Sequence, residues 1–300
     1  MSASRWNVAD MPAQDGRTVV ITGANSGLGL VAARELAAAG AHVVMACRNV
    51  EKGEAAAATV AGSVEVRRLD LADLGSVHEF AASVTAPVDV LVNNAGVMAV
   101  PLGRTVDGFE THLGTNHLGH FALTGLLLDR VRDRVVTLTS ALHRIGRIRL
   151  DDLNWERRRY DRWAAYSRSK LANLMFAYTL QRRLVAAGST LRSIAAHPGY
   201  SATNLQSNSP VRAELLLMAF MNRFISQPAA AGALPLLHAA TVTDLPGGSF
   251  IGPDGPGEAW GRPRPVGSSA QSHDRDLQDG LWRESESLTG LTVDVARMRT

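Results

Sequence analysis

Short runs of β-branched and aliphatic residues alternate along this chain with longer Ala- and Leu-rich stretches whose apolar positions recur at helical spacing. The pattern predicts strands over Arg17–Thr22, Ala41–Ala46, Val64–Leu69, Val88–Val92, Arg134–Thr139 and Thr190–Ala196. Between them it predicts helices over Gly27–Ala39, Glu51–Val60, Leu74–Val84 and Phe109–Leu128, and a further helix that carries Tyr166 and Lys170 to about Ala187. Such alternation without a linker predicts an α/β fold: a single doubly wound parallel sheet, Rossmann-like, with helices on both faces. One domain is expected over residues 16–265, after an extension over 1–15 and before a polar, loosely held tail over 266–300. Past His197 the rhythm changes: 199–227 reads as irregular around an apolar stretch, Ala229–Ala240 as helix, and 247–267 as Gly/Pro-rich.

Composition narrows the function. Hydrophobic residues make up 46% of the 300 positions, enough for a packed core, and aromatics at 5% argue against a stacking surface for single-stranded nucleic acid. Basic and acidic residues number 31 and 28, and the Arg-rich stretch from Arg130 to Arg168 is interleaved with acids, as in a salt-bridged surface and not a nucleic-acid patch. A single cysteine, Cys47, excludes an intrachain disulfide and a multi-Cys metal site. His117, His120 and His143 lack a metal-ligand pattern, so no metal is expected. The stretch Met1–Arg17 has no apolar core and the run Leu215–Met221 is too short to span a bilayer, so a soluble, cytoplasmic protein is expected.

Candidate chemistry begins after the first strand, at Thr22-Gly23-Ala24-Asn25-Ser26-Gly27-Leu28-Gly29. A Gly-rich turn between strand and helix lets backbone approach a pyrophosphate, whose charge the helix N-terminus favours. Gly23, Asn25, Ser26, Gly27, Leu28 and Gly29 are therefore candidate cofactor contacts. Arg48 closes the second strand where an NAD-binding chain tends to carry an acid, and no acid occurs between Gly40 and Val50. An Arg there suits a ribose 2′-phosphate, so NADP is expected over NAD. Asp70, after the third strand, suits either an adenine amino group or a helix cap. Asn93, Asn94, Ala95 and Gly96, after the fourth strand, suit a backbone that passes close to the adenosine ribose.

The chain has two lysines, Lys52 and Lys170, and writes Arg at its other basic positions. Lys170 stands four residues after Tyr166, one helical turn, so a phenol and a compact ammonium share a face. An opposite charge within a few Å lowers such a pKa by about 1–3 units, which would make the phenol a proton donor.

These features resemble the short-chain dehydrogenase/reductase family. The glycine turn, Asp70-Leu71, Asn93-Asn94-Ala95-Gly96, Asn116, Ser140, Tyr166-x-x-x-Lys170 and His197-Pro198-Gly199 fall in the family's order over roughly residues 16–205. The resemblance implies a catalytic tetrad. Tyr166 would be general acid or base, and Lys170 would depress its pKa and hold the nicotinamide ribose. Ser140 would bind the substrate oxygen, and Asn116 would position a water. Leu71 joins the cofactor contacts, Pro198 and Gly199 would shape the backbone at the nicotinamide end, and Thr203 would reach the carboxamide or a phosphate. Self-association through the long helices near Asn116 and Tyr166 is common in the family, so a homo-oligomer is allowed, as is the monomer of this branch.

Ser140 and Tyr166 lie 26 residues apart, wider than in most of the family, and this insertion resembles the retinol dehydrogenase and WW-domain oxidoreductase branch. Membrane-bound retinol dehydrogenases carry an apolar N-terminal anchor, and from residues 1–16 neither such an anchor nor a preceding WW module is expected. The expected reaction is NADP(H)-dependent hydride transfer on a lipophilic alcohol or carbonyl, with residues 205–224 folded over the nicotinamide as a lid or packed beneath the domain. A nucleotide-sugar epimerase or dehydratase would need a different glycine spacing and a larger C-terminal domain. A dinucleotide-sensing or scaffold protein is the non-enzymatic alternative.

Overall fold

The first strand, β1 (Thr18–Thr22), sends Val19 and Ile21 into one core and Val20 into another, and β2 (His42–Cys47) repeats the division with Val43 and Met45 against Val44 and Ala46. Apolar residues on both faces of a strand require cover on both faces of the sheet. In the computed structural model, which describes residues 6–200 and 228–295, that cover is helical. Helices α1 (Gly27–Ala38) and α2 (Val50–Ala57) lie on one face with α6 (Ala229–Thr241). Helices α3 (Leu74–Ser83), α4 (Gly119–Leu127) and α5 (Arg162–Ala186) lie on the other.

The remaining strands are β3 (Ser63–Arg68), β4 (Val88–Asn93), β5 (Val131–Leu138), β6 (Arg192–Ala196), β7 (Phe250–Pro253) and β8 (Pro263–Pro265). Their order in the sheet is β3-β2-β1-β4-β5-β6-β7-β8, with only β8 antiparallel among the described residues. The chain builds outward from β1 through β2 and β3, then returns to set β4 on the other side of β1. Helices leaving these neighbours depart on opposite faces, so a crevice opens beyond their carboxyl ends. The doubly wound, Rossmann-like sheet expected from the sequence is the observed architecture.

Several elements differ from the sequence reading. β7 and β8 lie inside the Gly/Pro-rich stretch and extend the sheet from six strands to eight. The helix expected from Phe109 begins later, because the Glu110 side chain accepts from the backbone of His112 and Leu113 and so caps it. Its first turns, Leu113–Leu118, are wound as a π-helix that runs into α4. The segment expected as a loose tail instead forms α7 (Arg275–Thr289), capped by Asp274 and laid against α5. Trp282 of α7 is buried, stacked on Phe176 at 5.9 Å between ring centres and edge-on to Phe121 at 5.1 Å. The Arg-rich stretch is not all surface: Arg134 and Arg168 are buried, paired with Asp133 and Glu110. Among the described residues no helix is long and apolar enough to cross a membrane.

Candidate active site

The turn after β1 is made by steric necessity. Gly23 has φ +67, and a Cβ there would sit 2.9 Å from Cβ of Ala95. A Cβ on Gly29 would lie 2.5 Å from Nδ2 of Asn94 and 2.6 Å from the Gly23 carbonyl, closer than real side chains approach. Only glycines let α1 start this close to the loop after β4. Ser26, the N-cap of α1, makes no side-chain capping bond, so the first backbone N–H groups of the helix open toward the cleft. That is the arrangement of an anion site at a helix N-terminus.

The cleft above this turn has a volume of about 630 Å³. Gly23, Asn25, Ser26, Gly27, Leu28, Arg48, Asp70, Leu71, Ala95 and Gly96, all candidate cofactor contacts, line it. Two further residues beside Arg48, Asn49 and Lys52, were not singled out. Asn49 caps α2 by accepting from Lys52 N at 2.7 Å, which sets Lys52 on the first turn of α2 beside Arg48. The signal that could have found it is that Lys52 is the chain's only other lysine. Asp70 does not cap α3, since Asp73 does so; its Oδ1 accepts from Ala72 N at 3.0 Å, bending the loop at the cleft wall.

Asn93, expected in the wall, points into the core instead: it is fully buried and its Nδ2 donates to Thr124 Oγ1 at 2.9 Å. The wall position belongs to Asn94, whose Nδ2 donates to the Thr22 carbonyl at 2.7 Å. The Thr22 hydroxyl accepts from the backbone of Asn94 and Ala95 at 2.9 Å each, so one side chain at the end of β1 pins the end of β4.

Beyond Gly96 the structure brings Ser140, Tyr166, Lys170 and Asn116 together. Ser140 follows β5 and starts a short 3-10 turn, Ala141–Ile145, with its hydroxyl on the side of the Tyr166 phenol, close enough to pull the phenol's pKa down. Tyr166 and Lys170 lie one turn apart on α5, both buried, with Nζ 5.7 Å from the centre of the phenol ring. Nζ donates to the Leu138 carbonyl at 3.4 Å rather than to the phenol. Burial pushes the phenol pKa up to about 12, the Ser140 hydroxyl pulling the other way, and burial pulls Lys170 down to about 8. The depression of the phenol expected from Lys170 is therefore not the leading effect; loss of water is.

Asn116 sits in the π-helical turn with its side chain engaged. Oδ1 accepts from Val97 N at 2.8 Å, while Nδ2 donates to the Val97 carbonyl at 3.0 Å and to Ser169 Oγ at 2.9 Å. Its own carbonyl accepts from Nδ1 of His120 at 2.9 Å. Asn116 thus braces the cleft wall at Gly96–Val97 against α5.

After β6, Pro198 and Gly199 lie at the same end of the sheet. Gly199 has φ +68, and a Cβ there would be 2.4 Å from the Ala259 carbonyl, so this glycine answers a backbone approach from the loop after β7. His197 is buried, and its Nε2 pairs with Glu258 at 2.9 Å; Glu258 also holds Arg144 at 2.8 Å. Thr203 and the segment expected as a lid, residues 205–224, lie outside the described residues.

A phosphate-sized anion site and a basic rim thus lie along one cleft, and Lys170, one turn from Tyr166, stands beside Gly96 at its wall. Glycines that a Cβ would block, at a helix N-terminus with open N–H groups, fit a dinucleotide.

Comparison with known proteins agrees with this geometry. Residues 17–213 match the family described as short chain dehydrogenase. Human retinol dehydrogenase 13 is 38% identical over 298 residues, covering 94% of this chain and 87% of that protein. The crystal structure of an uncharacterized protein from Mycobacterium paratuberculosis superposes with a TM-score of 0.85 at 54% identity, covering 97% of this chain and 100% of that one. A structure described as an NAD(P) dependent gluconate 5-dehydrogenase from Beutenbergia cavernae, with NADP bound at low occupancy, gives a TM-score of 0.60 at 28% identity. That match covers 76% of this chain and 91% of the other.

Proposed function

Since this chain belongs to the short-chain dehydrogenase family, we propose that it is an NADP(H)-dependent oxidoreductase that interconverts a lipophilic alcohol and its carbonyl, with Tyr166 as general acid and base. The observation that carries the reading is the buried Tyr166 phenol one helical turn from Lys170, whose Nζ stands beside Gly96 in the wall of a cleft shaped for a dinucleotide. The similarity to retinol dehydrogenase 13 supports the lipophilic substrate class.

Gly23, Asn25, Ser26, Gly27, Leu28 and Gly29 would cradle the pyrophosphate, and Asp70, Leu71, Ala95 and Gly96 the adenosine half. Arg48 and Lys52 would meet the 2′-phosphate, and Pro198 and Gly199 would bound the nicotinamide end. Thr203 keeps its proposed part there. When bound, the nicotinamide supplies or accepts the hydride.

The protein's part is proton transfer and orientation. In reduction the Tyr166 hydroxyl gives its proton to the substrate oxygen, and in oxidation the phenolate takes one away. The Ser140 hydroxyl shares the negative charge that develops on that oxygen. Lys170, charged below about pH 8, stabilises the phenolate left behind and holds the ribose hydroxyls. Asn116 braces the Gly96–Val97 wall, and its Oδ1, which accepts one hydrogen bond there, keeps a second lone pair with which it would position a water.

Calorimetric titration with NADPH and NADH, followed by NADPH-dependent reduction of a panel of lipophilic aldehydes and ketones, tests the reading. Binding without turnover of any member would favour the sensor alternative. Arg48→Glu is expected to weaken NADPH about 10–100-fold and NADH little, because a like charge would face the 2′-phosphate. Equal losses for both would remove Arg48 from that position. Gly29→Ala is expected to raise the Kd for either cofactor at least about tenfold, since the loop after β4 must shift. Fluorescence titration reads this, and an unchanged Kd would remove the cradle.

A further inference from the structure

Glu110 is a wholly buried carboxylate, yet its two oxygens are crowded with donors. Oε1 accepts from His112 N at 3.0 Å, His112 Nδ1 at 2.8 Å and the Tyr160 hydroxyl at 2.9 Å. Oε2 accepts from Leu113 N at 2.9 Å and Arg168 at 3.2 Å. Burial alone would raise its pKa, but the His112 hydrogen bond, with the backbone donors, holds it at about 2. A buried ion cluster is an expensive way to fill space, and its return is a fixed geometry.

That geometry points at the site. With Nδ1–H given to Glu110, His112 keeps Nε2 as an acceptor, and Val100 N–H donates to it at 3.3 Å. The same imidazole packs edge-on to the Tyr166 ring, 6.1 Å between centres and 67° between planes. Tyr160 approaches from the insertion between Ser140 and Tyr166, its hydroxyl also 3.3 Å from the Val100 carbonyl. Between Val97, gripped by Asn116, and Val100, gripped here, Ala99 is held at φ 50. A left-handed alanine is strained and persists only where both flanks are pinned.

We propose that Glu110, His112 and Tyr160 form a positioning cluster that sets the Tyr166 ring and the Val97–Val100 wall as one unit. His112 and Tyr160 then serve the proton transfer without touching the reacting atoms. The proposal rests on the reading of Tyr166 as acid and base. The groups facing Tyr166 are Ser140 from the end of β5, Lys170 one turn along α5 and His112 from the π-helical side; Glu110, Arg168 and Tyr160 stand behind His112.

The test uses the full chain with NADP bound. Tyr160→Phe removes one oxygen and keeps the ring contact to Trp155; His112→Phe keeps a ring beside Tyr166 but cuts both hydrogen bonds. The Tyr166 phenolate is titrated by ultraviolet difference absorbance against a Tyr166→Phe background, which separates it from the other three tyrosines. Loosening the wall admits water, so Tyr166 is expected to titrate about one unit lower in each variant. In reduction kcat should fall about 5–30-fold with the KM for NADPH within about twofold. Glu110→Gln combined with Tyr160→Phe should cost less than the two losses multiplied, because both act through one cluster.

A lower melting temperature with an unmoved Tyr166 titration and unchanged kcat would overturn the proposal and leave a packing role. Should the wild-type protein reduce no carbonyl, the parent reading fails, while the Tyr166 titration still decides the cluster.

Discussion

Tyr166→Phe is expected to lower kcat by about 10²–10⁴-fold in either direction, the contribution of a positioned acid–base group. The ring is buried beside His112, and Phe fills the same space, so fold and cleft should survive. The Ser140 hydroxyl keeps its backbone bond from Leu142 N at 3.2 Å. NADPH affinity should therefore stay within about threefold, which places the loss in the chemical step and not in binding. Stopped-flow reduction with saturating NADPH measures the first quantity and fluorescence titration the second. Retention of more than about a tenth of the wild-type kcat would mean that another group or solvent protonates the substrate.

Lys170→Met is expected to cost about 10²-fold or more at pH 7 and to change the shape of the pH profile. Burial disfavours the charged amine and lowers its pKa to about 8, so the ammonium is present below that pH and lost as pH rises through it. Tyr166, pushed up to about 12, remains a phenol across the same range and adds no limb of its own there. In reduction, wild-type kcat should be level from about pH 6 to 7 and fall through a limb near 8. In Lys170→Met the rate should be low throughout, without that limb. If the limb persists in the variant, the titrating group is not Lys170. Affinity for the cofactor should also drop, since Nζ lies beside Gly96 in the wall of the cleft.

The strands β1 to β6 and the glycine turn were legible because each answers a local rule. Val19 and Val20, or Val43 and Val44, must be apolar on adjacent positions when both sheet faces are covered, and Gly23 and Gly29 must be glycine where backbones meet. β7 and β8 follow no such rule. They are four and three residues long, and Pro263 and Pro265 are tolerable only on an edge strand, which nothing in the sequence marks. α7 was hidden for a different reason. The stripe it buries is Gln278, Leu281, Trp282, Ser285 and Thr289, largely small or polar, and those groups are satisfied by partners a hydrophobic pattern does not see.

In the site, the paired amides after β4 could not be told apart. One residue of register at a strand end decides which of Asn93 and Asn94 faces the cleft. The phenol and the lysine were readable from helical spacing, but their electrostatics were not. Whether charge or burial governs Tyr166 depends on where Nζ points, and it points to Leu138. Glu110, His112 and Tyr160 were missed because they share no motif. The first two are two residues apart at a helix start, and the third is brought from the insertion by the fold.

The placement of α7 also sets an order on how the protein is made. Residues 275–289 leave the ribosome after every strand of the sheet, yet they supply the tryptophan that covers Phe121 and Phe176. At about 5–20 residues per second, roughly 100 residues of synthesis separate the end of α5 from the end of α7, an interval of about 5–20 s. Through that interval the nascent chain displays an aromatic patch on the back of the helix that carries Tyr166 and Lys170, a handhold for a chaperone. Docking of α7 is the event that withdraws it.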